Sequence, residues 1–151
     1  MTIASDKISV SNELLEATEN GLYYRYWPAV KAKAIVILIH GLGEHCQRYE
    51  PLAAHLNQAG YSLSSMDLPC HGRSEGVRGH IDSFEVFENA ILELYRRTTD
   101  DNPNTPIFVL GHSLGGLIAT RLLLNHQDKF QGALLSGAAI QSPQEPPVWQ
   151  V

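Results

Sequence analysis

A serine lies at the centre of the most chemically informative segment of the chain. The run Gly111-His112-Ser113-Leu114-Gly115 matches G-x-S-x-G, a pattern in which serine occupies a sharp turn between a strand and a helix. The residues two positions before and after it must be small because the strand and the helix pass close together. Such a turn raises the hydroxyl above the sheet, and the pattern therefore predicts that Ser113 is a nucleophile for acyl transfer. The alternative is a glycine-rich helix start in which the serine is only an N-cap.

A second segment could stabilise the negative charge that develops on the substrate in such a reaction. His40-Gly41-Leu42-Gly43 follows an apolar run, and acyl transfer needs two hydrogen-bond donors for the oxyanion. We expect the backbone amides of Leu114 and Leu42 to be these two donors. Gly41 and Gly43 would let the backbone approach the substrate, while an ordinary strand-to-helix turn is the alternative.

The base that a serine nucleophile requires is harder to find. A histidine oriented by an acid must take the hydroxyl proton, and the usual chain order with this turn is serine, acid, histidine. After Ser113 the only histidine is His126, and the only acids are Asp128 and Glu145. His126 should lie roughly 20 Å from the hydroxyl because a predicted helix separates them. We therefore expect no usable acid–histidine pair in this sequence.

The other histidines near the predicted site are interpreted as supporting residues. His112 adjoins the serine and is expected to pack in the turn rather than to act as a base. His40 and His45 flank the oxyanion loop and are expected to orient it by hydrogen bonds. His71 and His80 are assigned to a surface loop.

Composition and cysteine content restrict the class of protein. The 151 residues carry a net charge of -5 and are 44% hydrophobic, which is typical of a globular domain and argues against nucleic-acid binding. Cys46 and Cys70 are too few for a disulfide framework, and the adjacent pairs His45-Cys46 and Cys70-His71 lack zinc-site spacing. We expect no metal and no cofactor. We also expect a cytoplasmic location, since the apolar run at 34–39 is too short to span a bilayer.

The elements that must position these residues alternate between short apolar strands and helices. Strands are predicted at 21–27, 34–39, 61–66, 107–110 and 133–136, and helices at 49–58, 114–124 and from Asp82 to about residue 101. The last of these helices is predicted to start with a capping box of Asp82 and Glu85. The alternation predicts an α/β fold with three layers, a mostly parallel sheet between helices. We expect residues 1–141 to form a partial core and the proline-rich residues 142–151 to begin a connection to a lid.

Three segments resemble the N-terminal half of the monoacylglycerol lipase and lysophospholipase branch of the α/β-hydrolases, which is also called serine aminopeptidase-like. They are HGLGEHCQRYEPLAAHL, MDLPCHGRSEG and FVLGHSLGGLIA. The resemblance implies a serine esterase acting on monoacylglycerols or lysophospholipids, with Ser113 as nucleophile and the amides of Leu42 and Leu114 as oxyanion hole. Cys70 departs from the family pattern, which usually has glycine there.

The resemblance also implies that the acid and the histidine follow later strands of the fold. We therefore expect an N-terminal fragment of a hydrolase, truncated before the lid and the last strands and inactive alone. The alternatives are a non-catalytic binding or interaction module and one half of a split hydrolase that needs a partner chain. The expected ligand is a small lipid ester and not a nucleic acid. Peripheral membrane contact and association through an exposed sheet edge are left open.

Overall fold

The most apolar run of the sequence lies at the centre of the fold. The computed structural model describes residues 15–140. The segment AIVILI forms a strand whose six residues are all buried, within a six-stranded sheet. The strands are β1 (Leu15–Glu19), β2 (Leu22–Trp27), β3 (Ala34–Ile39), β4 (Tyr61–Met66), β5 (Ile107–His112) and β6 (Gly132–Ser136). The helices are α1 (Glu50–Gln58), α2 (Glu85–Asp101) and α3 (Leu114–His126), with short 3₁₀ helices at Cys46–Tyr49 and Gln127–Lys129.

Parallel pairing dominates the sheet, as the alternating sequence pattern predicts. The strand order is β1-β2-β4-β3-β5-β6. The pairs β4–β3, β3–β5 and β5–β6 are parallel, and β1 and β2 add antiparallel pairs at one edge. Helices cover both faces, so the three-layer α/β architecture expected from the sequence is confirmed.

The central strand β3 links the two halves of the hydrophobic core because its side chains alternate between the faces of the sheet. Ile35, Ile37 and Ile39 pack with residues of α2 and α3 on one face. Val36 and Leu38 pack on the other face, where α1 lies. A strand buried on both faces reads as a continuous apolar run, which is why the sequence predicts β3 so directly.

The edge strand β1 is the main element that the sequence analysis missed. Every residue of the segment LEATE is exposed, so it has no apolar periodicity that would indicate a strand. The signal that could have found it is the turn that follows. Asn20 and Gly21 have φ values of 50° and 74°, and Glu19 pairs with Leu22 across them. An Asn-Gly pair between two strands is a strong indicator of a tight β-hairpin.

The predicted capping box at the start of α2 is wrong. The helix begins at Glu85, and its N-cap is Phe84, which makes no side-chain cap hydrogen bond. Phe84 is held by packing instead: its ring meets Phe87 edge to face at 5.7 Å, and the guanidinium of Arg121 from α3 lies 4.7 Å above it. Packing within α2 and against α3 thus accompanies this helix start in place of a side-chain cap.

The far edge of the sheet, β6, is poorly covered. Leu134 and Leu135 are neighbours on the strand, point to opposite faces, and are 51% and 45% exposed. The expected lid connection at 142–151 lies outside the described residues. Within residues 15–140, none of the helices combines the length and the apolar composition that a bilayer crossing requires.

Candidate active site

Ser113 occupies a strained turn between the end of β5 and the start of α3. Its φ and ψ are 52° and -116°, a region that a residue with a side chain seldom enters. Its N–H donates to the carbonyl of Ser136 at 3.0 Å, and its carbonyl accepts from Gly116 and Ala139, each at 3.0 Å. The serine side chain makes no N-cap hydrogen bond to α3. Ser113 thus lies at the N-cap position of α3, but its hydroxyl does not make the cap hydrogen bond that the alternative requires.

The glycines around Ser113 are required by the close approach of β3, β5 and α3. A Cβ at Gly115 would lie closer than 3.0 Å to the carbonyl of Ile39, and a Cβ at Gly111 would meet the carbonyl of Gly115 equally closely. A Cβ at Gly116 would meet Ala138 at 2.6 Å. These clashes involve backbone or short side chains that cannot move aside easily. The glycine requirement predicted from the pattern is thus explained by packing.

The sheet register brings the loop after β3 next to Ser113. β3 and β5 are parallel neighbours, and Ile39 pairs with Gly111 at their carboxyl ends. A Cβ built on Gly41 would lie 3.2 Å from the Cβ of Ser113. Leu42 follows with its side chain 67% exposed. The two segments singled out in the sequence therefore lie side by side, and the first amides of α3, including that of Leu114, begin directly after the serine.

His40 fixes the base of this loop, as the sequence analysis expects. Its side chain is completely buried. The N–H of Leu68 donates to Nε2 at 2.9 Å, so Nδ1 carries the proton and donates to the carbonyl of Gly41 at 2.8 Å. Burial is the main influence that lowers the pKa of His40. A neutral imidazole with one defined tautomer thus joins the loop after β3 to the loop after β4.

Glu44 is a site residue that the sequence analysis did not single out. Its Oε2 accepts from the N–H of Gly41 at 2.9 Å and from the hydroxyl of Tyr49 at 2.7 Å, and its Oε1 lies 3.1 Å from Nε of Arg48. Partial burial opposes ionisation, but the hydrogen bonds from Tyr49 and Gly41 and the charges of Arg48 and His112 outweigh it and lower the pKa of Glu44.

Asp67 ties the loop after β4 to the segment that follows the oxyanion loop. Its Oδ1 accepts from the N–H of Cys46 at 2.7 Å, and its Oδ2 accepts from the N–H of Arg73 at 2.8 Å. The hydroxyl of Ser74 donates to the Asp67 carbonyl at 2.5 Å and accepts from the N–H of Tyr23 at 3.0 Å. Asp67 and Ser74 are almost fully buried. This network gives a physical reason for the D-x-x-x-H-G-x-S segment.

Cys70 has a left-handed backbone conformation, with φ at 64°. Glycine adopts this conformation without strain, whereas a residue with a Cβ does not. The departure from the family pattern at this position therefore places local strain in the loop after β4. The Sγ of Cys70 lies over Gly76, where a Cβ would come within 2.4 Å of it.

The remaining histidines occupy different environments around Ser113. Nδ1 of His112 lies 3.1 Å from the carbonyl of Ser136 and so points to β6 rather than to Ser113. His45 is exposed and its side chain makes no hydrogen bond within residues 15–140, so its expected orienting role is wrong. His71 is also not a surface residue. It is buried, with its ring 5.4 Å from that of His40.

No described residue after Ser113 is placed to act as its base. His126 is the last residue of α3, which separates it from the hydroxyl by roughly 20 Å at 1.5 Å per residue. Asp128 lies in the 3₁₀ helix beyond it, and Glu145 is outside the described residues. Within residues 15–140, no three His, Cys, Asp or Glu side chains are grouped to hold a metal ion.

Burial raises the pKa of the Cys46 thiol, with Asp67 adding to the effect.

Comparison with known proteins places this geometry in a family context. The sequence profile of the family described as "Serine aminopeptidase, S33" matches residues 30–151. Monoglyceride lipase of Rattus norvegicus is 37% identical over 81% of the chain and 41% of its own length. Phospholipase YtpA of Bacillus subtilis is 32% identical over 76% of the chain and 44% of its own length. The crystal structure of Paleococcus ferrophilus monoacylglycerol lipase superposes with a TM-score of 0.74 at 34% identity, covering 85% of the chain and 48% of that protein. The chain thus spans less than half the length of each of these relatives.

Proposed function

Because this chain belongs to the serine aminopeptidase S33 family of α/β-hydrolases, in the monoacylglycerol lipase branch, we propose that it carries the nucleophile and oxyanion hole of a carboxylic-ester hydrolase. Ser113 is the proposed nucleophile, and the amides of Leu42 and Leu114 are the proposed oxyanion donors. The observation that carries the proposal is the left-handed backbone of Ser113, with φ at 52°, next to Gly41.

The proposed reaction is acyl transfer through a covalent intermediate. The Ser113 oxygen attacks the ester carbonyl carbon while its proton passes to a base, and the carbonyl oxygen becomes an oxyanion facing the two amides. The oxyanion then collapses, the alcohol leaves with a proton, and water hydrolyses the acyl-serine. The start of α3 assists because its first amides have no partners within the helix and its dipole favours negative charge there.

The proposed substrate class is a small lipid ester, either a monoacylglycerol or a lysophospholipid. The names of the relatives support it, since they are a monoglyceride lipase, a monoacylglycerol lipase and a phospholipase. The exposed side chain of Leu42 offers an apolar contact beside the nucleophile. Peripheral contact with a membrane that holds such a lipid is part of the proposal. A cytoplasmic location is also part of the proposal, and the free thiols of Cys46 and Cys70 support it.

We propose further that this sequence does not by itself complete the catalytic machinery. No histidine after Ser113 other than His126 exists in the sequence, and His126 lies at the far end of α3. The acid and the base would then come from polypeptide that pairs with β6, whose apolar residues Leu134 and Leu135 are exposed. The 151 residues alone should therefore react with activated probes at Ser113 but turn over esters negligibly.

The experiment that tests the proposed function measures labelling and turnover separately. The 151-residue chain is incubated with a fluorophosphonate probe, and p-nitrophenyl ester hydrolysis is followed in parallel. We expect slow labelling that Ser113→Ala abolishes and that Ser83→Ala, a change at an exposed loop serine, leaves intact. Labelling that survives in Ser113→Ala would contradict the nucleophile assignment. Robust ester turnover by the chain alone would contradict the claim that the site is incomplete.

A further inference from the structure

Leu42, the proposed oxyanion donor of the loop, lies between two glycines. Gly43 has φ at 69° and open space around the position of a Cβ, and Gly41 is glycine because a Cβ would crowd Ser113. Glycine permits many backbone conformations that other residues cannot adopt. The peptide units on either side of Leu42 could therefore rotate unless something holds them, and an amide that rotates away cannot receive an oxyanion.

The Gly41 peptide groups are held by hydrogen bonds at both ends, and Glu44 makes two of them. The carboxylate Oε2 of Glu44 accepts from the N–H of Gly41 at 2.9 Å. The backbone N–H of Glu44 donates to the carbonyl of Gly41 at 3.2 Å. His40 Nδ1 adds a second donor to that carbonyl at 2.8 Å. The carboxylate itself is fixed by the hydroxyl of Tyr49 and by Arg48.

We propose that Glu44 is a positioning residue that sets the direction of the Leu42 amide. The carbonyl of Gly41 and the N–H of Leu42 belong to one peptide plane and point in opposite directions because the bond is trans. His40 and the backbone N–H of Glu44 hold that carbonyl, while the Glu44 carboxylate holds the N–H of Gly41 in the preceding peptide plane. With both peptide planes of this flexible glycine held, the backbone dihedrals of Gly41 are set, and the Leu42 N–H points away from His40. This inference rests on the proposed function, in which that N–H receives the oxyanion.

The carboxylate group suits this task better than an amide of the same size. One ionised oxygen accepts from both Gly41 and Tyr49, while the other faces Arg48, so all three contacts are donors to a single acceptor group. In Glu44→Gln the amide oxygen can still accept from Gly41 and Tyr49, but the NH₂ group then replaces Oε1 and faces Arg48, which is itself a donor. Glu44→Ala keeps the backbone bond to Gly41 and removes the side-chain bonds.

The test compares four variants by two independent measurements. Glu44→Gln, Glu44→Ala and Tyr49→Phe are compared with the control Glu93→Gln, which replaces another Arg-paired carboxylate on the remote helix α2. The first measurement is the rate of Ser113 labelling by a fluorophosphonate. The second is the NMR amide resonances of Gly41 and Leu42, which respond to loss of a hydrogen bond and to peptide rotation without any reaction.

We expect a graded response confined to the loop. Labelling should slow about tenfold in Glu44→Ala, about threefold in Glu44→Gln and less in Tyr49→Phe, smaller than direct loss of an oxyanion donor. The amide resonances of Gly41 and Leu42 should shift in the same order, and Glu93→Gln should change neither measurement. Partial rescue by glutamine over alanine distinguishes positioning from simple loss of stability.

Each outcome decides between the inference and its premise. Unchanged labelling and unchanged Leu42 resonance in Glu44→Ala would overturn the positioning role even if Ser113 is the nucleophile. If the wild-type chain is not labelled at all, the proposed function fails, and the amide resonances alone still decide whether Glu44 fixes the loop. Should Glu44→Ala fail to fold, Glu44→Gln and Tyr49→Phe, which keep most of the side chain, carry the comparison.

Discussion

Two parallel strands that both carry apolar side chains, β3 and β6, have opposite environments. All six residues of β3 are buried, whereas β6 exposes Leu134 and Leu135 on its two faces. β3 has a strand on each side and helices on each face, while β6 pairs only with β5 among the described strands. The difference teaches that an apolar strand is buried by its neighbours rather than by its composition. The candidate site residues lie at the ends of β3 and β5, next to the uncovered edge strand β6.

The two regions are nevertheless joined at one point. Ser136, the last residue of β6, accepts from the N–H of Ser113 through its carbonyl at 3.0 Å, and His112 bonds to the same carbonyl. The backbone of the edge strand therefore supports the turn at Ser113 although its side chains are uncovered. A polypeptide that covered β6 would be placed directly beside the serine.

The strongest test of the comparison replaces one apolar side chain in each strand by alanine. Ile37→Ala in β3 removes a side chain with no exposed surface and should lower the free energy of unfolding by about 4 kcal/mol. Leu135→Ala in β6 should lower it by less than about 1 kcal/mol, because nearly half of that side chain already contacts solvent. Urea unfolding measures both. Equal losses would show that β6 is covered in solution, for example by a second copy of the chain.

A second test adds a methyl group to one glycine in each region. Gly115→Ala places a Cβ against the carbonyl of Ile39, which is backbone of β3, and should destabilise by about 3 kcal/mol or more. Gly132→Ala in β6 meets only ring atoms of Phe108 at 3.1 Å, which can rotate, and should change stability by less than about 1 kcal/mol. Thermal unfolding of the two variants distinguishes them. A tolerated Gly115→Ala would mean that α3 does not pack so closely on β3.

The sequence predicts the well-buried elements of this fold and fails where exposure or tertiary contact decides. Its predicted strands at 34–39 and 61–66 coincide with β3 and β4. For β3 the reason is that continuous burial leaves an apolar run. β1 was missed because all its side chains face solvent. The start of α2 was misplaced because its N-cap, Phe84, makes no side-chain cap hydrogen bond and instead packs against Phe87 and under Arg121 of α3. The contact with Arg121 is not visible in the local sequence.

The candidate site shows the same division. The pattern around Ser113 predicts the turn, since steric demand dictates its glycines. The hydrogen bonds that hold the loop after β3 are not visible in the sequence pattern in the same way. Glu44 and Asp67 act through hydrogen bonds to backbone groups several to many residues away, and spacing alone does not reveal such partners. His45 and His71, judged from adjacency, were therefore assigned incorrectly.

A third prediction concerns backbone strain at Cys70, in the loop after β4. Cys70→Gly should stabilise the chain by about 0.5–1 kcal/mol, because glycine relieves the left-handed conformation although it adds unfolded-state entropy. Cys70→Ala is the matched control, since alanine retains a Cβ and should give no gain. Thermal unfolding of both variants measures the difference. Similar stabilities for the two variants would contradict backbone strain as the cause.

The smallest effect is expected from the pH dependence of Glu44. Its carboxyl pKa is below the ordinary value of 4.5: partial burial opposes this, but the hydrogen bonds from Tyr49 and Gly41 prevail. A group whose folded-state pKa is depressed stabilises the fold above its unfolded-state pKa, and this contribution is lost as pH falls through the folded-state value. Wild type should therefore exceed Glu44→Gln in stability at about pH 6 and approach it at about pH 3.

Comparing wild type with Glu44→Gln isolates the contribution of Glu44, because the other charged groups around it are the same in both. Arg48 and Tyr49 face it from the 3₁₀ helix and His112 from the end of β5, and the substitution leaves all three in place. Urea unfolding at a series of pH values gives that difference directly. If the difference in unfolding free energy between wild type and Glu44→Gln stays constant, or widens on acidification, the loop does not hold the carboxylate. The loop after β3 would then be fixed as weakly as the side chains of β6.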